Sequence, residues 1–145
     1  MIFVKFVAKI FNIWYTKVKW GVNINNIQFK NEIEENFKFG LLDVIILKML
    51  SKEDLYGYQI KQEIHARSQN QIIIKEGSLY GPLYRMDKKK FITSRKELVG
   101  EKRFRVYYSI TDLGKEYLKT AEEVFKNFYS GACNILLEDT DEKTN

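Results

Sequence analysis

Proline, cysteine and histidine each occur only once among the 145 residues of this chain. A solitary cysteine, Cys133, cannot form an internal disulfide, so we expect a reducing, cytoplasmic setting. His65 has no second histidine or cysteine at metal-ligand spacing, so we expect no metal site. One histidine and one remote cysteine also leave no nucleophile and base pair of the usual kind. The sequence therefore predicts a protein that is not an enzyme and uses no cofactor.

The positive charge is unevenly distributed along the chain. Residues 1–20 hold four lysines and no acid, and residues 75–105 hold ten bases against four acids. The chain's end, 138–145, holds four acids against one lysine. A polyanion is therefore expected to bind near 75–105 and to be repelled by the tail.

The first 36 residues are predicted to be an extension of a single domain. Lys5, Lys9, Asn12 and Thr16 fall three or four positions apart, as on the polar side of a basic amphipathic helix, and no uncharged run is long enough to span a bilayer. Three interpretations stay open: a helix on a membrane or partner surface, an extra helix packed on the domain, or a start codon assigned too early. Residues 21–36 are predicted to be a connector.

The remaining pattern alternates helices and β-favouring runs. An apolar helix is expected from about residue 39 to Ser51, then a helix over 55–67 capped by Asp54, then a short strand over 71–75. A third helix starts either after a Ser78 cap or near Gly81, because Pro82 disturbs its first turn. Two strands joined by the turn 99–102 follow, and Thr111 caps a last helix. This order predicts an α+β, mainly α, winged helix-turn-helix over 37–110.

A helix that enters the major groove of DNA needs small or hydrogen-bonding residues near its start and cations behind them. Tyrosines can bond phosphate oxygens, and arginine can read a guanine edge. We expect one tyrosine of each pair, 56 with 58 and 80 with 84, to be part of the core. The predicted DNA-binding residues are Tyr56, Lys75, Ser78, Tyr80, Gly81, Tyr84, Arg85, Lys88, Lys102, Arg103 and Arg105.

The last helix, 111–138, carries an apolar stripe too wide for a small domain to cover, so a second copy of the chain is the expected cover. Cys133 is expected to be buried there, or exposed at a dimer seam. The acidic tail 139–145 follows. The predicted interface residues are Leu113, Tyr117, Ala121, Val124, Phe125, Phe128, Ala132 and Ile135.

Four segments together resemble the PadR family of bacterial transcriptional regulators. They read "GLLDVIILKML", "DLYGYQIKQEI", "EGSLYGPLYRMDKKKFITS" and "RVYYSITDLGKEYL", in one unbroken register over residues 39–120. The resemblance implies a homodimer joined through the C-terminal helix, as in the smaller PadR subfamily. It also implies a repressor on a palindromic double-stranded operator, relieved by an aromatic or lipophilic small molecule. Gly81 and Pro82, and Lys90 in place of a frequent glycine, depart from the family pattern.

A different class of function also fits the sequence. The winged helix could serve as a protein-interaction module without DNA binding, with residues 1–20 holding it to an anionic membrane surface. A version that begins near Asn31 would separate the two hypotheses. Co-sedimentation with liposomes compares the two versions, and loss of function on truncation while neither version binds DNA favours the adaptor.

Overall fold

The computed structural model describes residues 26–75 and 77–137. The predicted helix over 1–20 and the acidic tail 139–145 lie outside these residues. The described elements follow in chain order: α1 (Asn26–Leu50), β1 (Leu55–Tyr56), α2 (Gly57–Arg67), α3 (Tyr80–Lys88), β2 (Ile92–Val99), β3 (Arg103–Ile110) and α4 (Asp112–Leu136). The predicted fold class, α+β and mainly α with a winged helix-turn-helix, is confirmed.

Helix α1 begins earlier than the sequence pattern indicated. The segment 21–36 was predicted to be a connector, but it is helical from Asn26 onward. Ion pairs one turn apart, such as Lys30 with Glu34 and Lys38 with Glu35, suit a helix and offset the weak helix propensity of the asparagines. The chain divides between Ile45 and Ile46 into two compact units, and the sheet and helices α2 to α4 belong to the second.

The first strand of the sheet was missed by the sequence pattern. Residues 71–75, where a short strand was expected, form no regular strand. The strand that completes the three-stranded sheet is β1. Leu55 pairs with Tyr108 and Tyr56 with Tyr107, so the sheet order is β1, β3, β2, antiparallel throughout. Asp54 was also assigned wrongly as a helix cap. Helix α2 starts after Tyr56, whose backbone N–H donates to Gln59 Oε1 at 3.2 Å.

Strands β2 and β3 form the predicted hairpin, which we call the wing together with its turn 100–102. Gly100 lies in the turn with φ 71°, the left-handed region that favours glycine. Lys90 also adopts a left-handed conformation, with φ 61°, at the end of α3. The Phe91 N–H donates to the Met86 carbonyl at 2.9 Å across it, as in a helix C-cap. A lysine therefore occupies a position where glycine costs less strain.

The core of the second unit is apolar and fully enclosed. Its most buried large side chains are Ile46, Leu47, Ile60, Ile64, Met86 and Ile92. Thr111 is the predicted N-cap of α4, because its Oγ1 accepts the Gly114 N–H at 3.0 Å. The Thr111 hydroxyl also donates to the Lys90 carbonyl at 2.6 Å, which ties the start of α4 to the end of α3. None of the described helices is both long enough and apolar enough to cross a membrane.

Candidate nucleic-acid interface

Helix α3 separates a buried side from an outer face. Pro82, Leu83 and Met86 are buried in the core. The outer face consists of Tyr80, Gly81, Tyr84, Arg85 and Lys88, all exposed. This alternation of buried apolar and exposed polar positions at helical spacing is what fixes the orientation of the helix. Five of the eleven residues predicted to bind DNA are therefore brought together on one solvent-facing surface.

The start of α3 explains how Pro82 is accommodated. The helix begins at Tyr80 after a turn in which the Ser78 N–H donates to the Lys75 carbonyl at 3.1 Å. Pro82 is thus its third residue, within the first turn, where a backbone N–H has no partner in the helix anyway. The alternative prediction, that this helix starts near Gly81, differs from the observed start at Tyr80 by one residue. A Ser78 cap is wrong, because the residue before the helix is Leu79 and no side chain caps it.

The tyrosines are more exposed than we predicted. Tyr80 is 65% exposed, Tyr84 62% and Tyr58 59%, so no member of either pair except Tyr56 is even half-buried. The expectation that one tyrosine of each pair belongs to the core is wrong. Leucine, proline and methionine fill the positions of α3 that face the core, which leaves the rings outside. The Lys88 Nζ lies 4.9 Å from the centre of the Tyr84 ring.

Four further predicted residues lie in the wing and β1. The Arg105 guanidinium lies 4.4 Å from the centre of the Tyr56 ring, a cation-π arrangement. The Tyr56 ring meets the Tyr107 ring edge-on at 5.5 Å. Lys102 and Arg103 are exposed at the tip of the wing. Arg105 is therefore held against the sheet, while the tip cations extend into solvent.

A cluster around Arg95 was missed by sequence reasoning. Arg95 NH1 donates to Asp54 Oδ2 at 2.6 Å and to Ser109 Oγ at 2.9 Å, while its Nε donates to Glu97 Oε1 at 2.7 Å. The Ser109 hydroxyl, and after it Arg95, lowers the pKa of the Asp54 carboxyl. The cluster joins the loop before β1 to both strands of the wing. Its members are far apart in sequence, so no local pattern could have indicated it.

The residues predicted to form a dimer interface lie along α4, and most are exposed. Val124 is 61% exposed, Phe128 53% and Ile135 75%, with Leu113 and Phe125 also exposed. Ala121 and Ala132 are half-buried. Tyr117 is half-buried as well, because its ring stacks on Phe91 with centres 4.4 Å apart.

Two other predictions concern single residues. His65 is exposed on α2. Cys133 is half-buried rather than buried. Among residues 28–75 and 77–137, no group of three or more histidine, cysteine or acidic residues could hold a metal ion.

Residues 46–120 match the model of the PadR-like family of transcriptional regulators, which is more than half of the chain. The chain belongs to this family. The segment that matches runs from the end of α1 to the first turns of α4 and contains all of the wing. The resemblance inferred from the four motifs is confirmed, while the assignment to the smaller subfamily stays a prediction.

This PadR-like chain is similar to the following proteins. An uncharacterised protein of Lysinibacillus sphaericus is 46% identical over 79 residues, which are 54% of this chain and 72% of that protein. A solved transcriptional regulator from Clostridium thermocellum is 32% identical, with 70% and 95% of the two chains covered and a TM-score of 0.64. Bacillus subtilis PadR in complex with operator DNA is 30% identical, with 55% of this chain and 45% of that chain covered, at a TM-score of 0.52.

Proposed function

We propose that this PadR-like protein is a sequence-specific regulator that binds double-stranded DNA through α3 and the wing. The single observation that carries the proposal is the outer face of α3, where Tyr80, Tyr84, Arg85 and Lys88 lie exposed together. In winged-helix proteins such a face can enter the major groove, with arginine at base edges and lysines at phosphates. The relative from Bacillus subtilis, solved with operator DNA, supports the same assignment.

The proposed regulator acts as a homodimer on a palindromic operator. The support is the exposed apolar surface of α4, which a second copy of the same helix would cover. Two copies would present two α3 helices to half-sites of opposite orientation. We further propose that it is a cytoplasmic repressor without enzymatic activity.

A small aromatic or lipophilic effector would relieve repression. Phe125 and Tyr129 stack with ring centres 5.9 Å apart on the exposed surface of α4, so a planar ligand could add to that stack. An effector bound between two copies would change the spacing of their α3 helices. That change is what would release the operator.

The test is a mobility-shift titration with the DNA upstream of the protein's own gene. Binding is expected to weaken steeply with salt, because phosphate contacts release counterions. Arg85→Ala is expected to lower the affinity by about 1–3 kcal/mol at one base position, and Lys102→Ala to reduce the salt dependence by about one phosphate contact. Lys119→Ala, which removes an exposed lysine from α4, is the charge-matched control. Affinity unaffected by Arg85→Ala and Lys102→Ala would contradict the proposed surface.

A further inference from the structure

Two large apolar side chains lie exposed at the end of the wing. Leu98 is 57% exposed and Phe104 66%. They are direct partners in the antiparallel register of β2 and β3, so their side chains lie next to each other on the same face. We call these two residues the tip pair. The core, the proposed α3 surface and the α4 stripe do not include them.

The tip pair belongs to the face of the hairpin that carries the core. Side chains alternate between the two faces of a strand, so Leu98 shares its face with Ile92, which is completely buried. Strand β2 packs against α3. The opposite face carries Arg95 and Tyr107, with the polar cluster that includes Asp54. The apolar face therefore continues from the core, on the side of α3, out to solvent at the tip.

Two lysines flank the tip pair. Lys96 lies on the same face of β2, and Lys102 is exposed in the adjoining turn, while Arg103, which pairs with Val99, belongs to the opposite face. The turn also holds Glu101, while the carboxylate of Glu97 is bound to Arg95 at 2.7 Å. An apolar pair flanked by lysines can bind a polyanion that also has apolar surface. The minor groove of a duplex does so, because sugars and base edges lie between its two lines of phosphates.

We propose that Leu98 and Phe104 act as an apolar wedge in the minor groove of the bound duplex and bend it. The proposal rests on the DNA binding proposed above. Apolar wedges enter where bases unstack easily, so the wedge would favour a flexible pyrimidine-purine step beside the half-site read by α3. The wing would thereby contribute sequence preference without a hydrogen bond to any base.

The experiment uses the full-length protein and a duplex that it selects from a randomised pool, labelled at both ends for energy transfer. Phe104→Thr and Leu98→Thr remove the wedge but keep a β-favouring residue. Phe104→Thr is expected to weaken binding about tenfold, in line with the loss of one buried apolar side chain. The end-to-end distance should return to that of the free duplex. The salt dependence should stay unchanged, because no phosphate contact is removed.

Two further variants serve as controls. Val99→Thr changes the next residue of the same strand, on the opposite face, and is expected to leave affinity and bend unchanged. Phe104→Leu keeps an apolar wedge and should retain most of the bend. If Phe104→Thr does not fold, Phe104→Leu and Leu98→Thr still separate the wedge from a loss of structure.

Three results would overturn the proposal. If Phe104→Thr and Leu98→Thr bind and bend the duplex as the original protein does, the tip pair is no wedge, while DNA binding stands. If these variants change self-association in sedimentation without DNA and leave the bend intact, the tip pair is a contact between copies. If the original protein selects no duplex at all, the proposed function fails together with the wedge.

Discussion

Helices α3 and α4 both expose aromatic side chains, but they differ in how many of their other side chains are buried. Helix α3 buries Pro82, Leu83 and Met86 and combines its exposed rings with cations. Among the described residues of α4, only Gly114 and Leu118 are buried, and both belong to its first two turns. The buried side of α3 is thus filled by core side chains, whereas beyond its second turn the described side chains of α4 are exposed or half-buried.

This contrast indicates two kinds of surface. Exposed tyrosines beside arginine and lysine form a polar face that suits a charged partner. Exposed valine, phenylalanine and isoleucine along one helix form an apolar face that suits another protein surface. Substitutions on α4 and at the Arg95 cluster distinguish these two kinds of surface.

The tightness of packing differs most within α4, between its first turns and its C-terminal end. A Cβ on Gly114 would overlap the carbonyl oxygen of Phe91, whereas a Cβ on Gly131 would meet nothing. Gly114→Ala is therefore expected to lower the free energy of unfolding by about 3 kcal/mol, since backbone must move. Gly131→Ala is expected to raise it by up to about 1 kcal/mol, the gain in helix propensity. Urea denaturation measures both. Equal effects would contradict the difference in packing.

A charge on the apolar stripe tests whether α4 is covered by a second copy. Val124→Glu would bury an unpaired carboxylate in the proposed interface and is expected to weaken dimerisation by about 2 kcal/mol or more. Operator binding should fall with it, because both half-sites must be engaged together. Lys126→Glu introduces the same side chain on the opposite side of the helix as a control. Sedimentation equilibrium measures the association. If the Val124→Glu variant dimerises as tightly as the original protein, the interface lies elsewhere.

The smallest effect is expected at the polar cluster that joins the loop before β1 to the wing. The pKa of Asp54 is lowered in the folded state, so its carboxylate stabilises the fold above pH about 4 and loses that effect as the pH falls through the lowered value. Because the pair with Arg95 is largely exposed, Asp54→Asn should cost about 0.2–1 kcal/mol at neutral pH. The difference should vanish in acid. If the stability difference between Asp54→Asn and the original protein persists in acid, its cause is packing and not the charge of Asp54.

Local patterns in the sequence predicted the elements whose contacts are local. The wing follows from two alternating runs around a glycine turn, and the last helix follows from Thr111 and the periodic apolar stripe. The two-residue strand β1 could not be predicted, because its partners in β3 lie more than fifty residues further along the chain. The start of α1 at Asn26 was missed because asparagines favour connectors.

Residue type and short-range spacing were enough to predict the order of the four helices and the two wing strands, the family, and the grouping of cations around α3 and the wing, but not strand β1. The packing of the folded chain decided which tyrosines reach solvent. It also decided that Asp54 holds Arg95 rather than a helix end, and that Leu98 and Phe104 stand together outside the core. These facts depend on which distant segments pack together, and spacing along the chain carries no information about that.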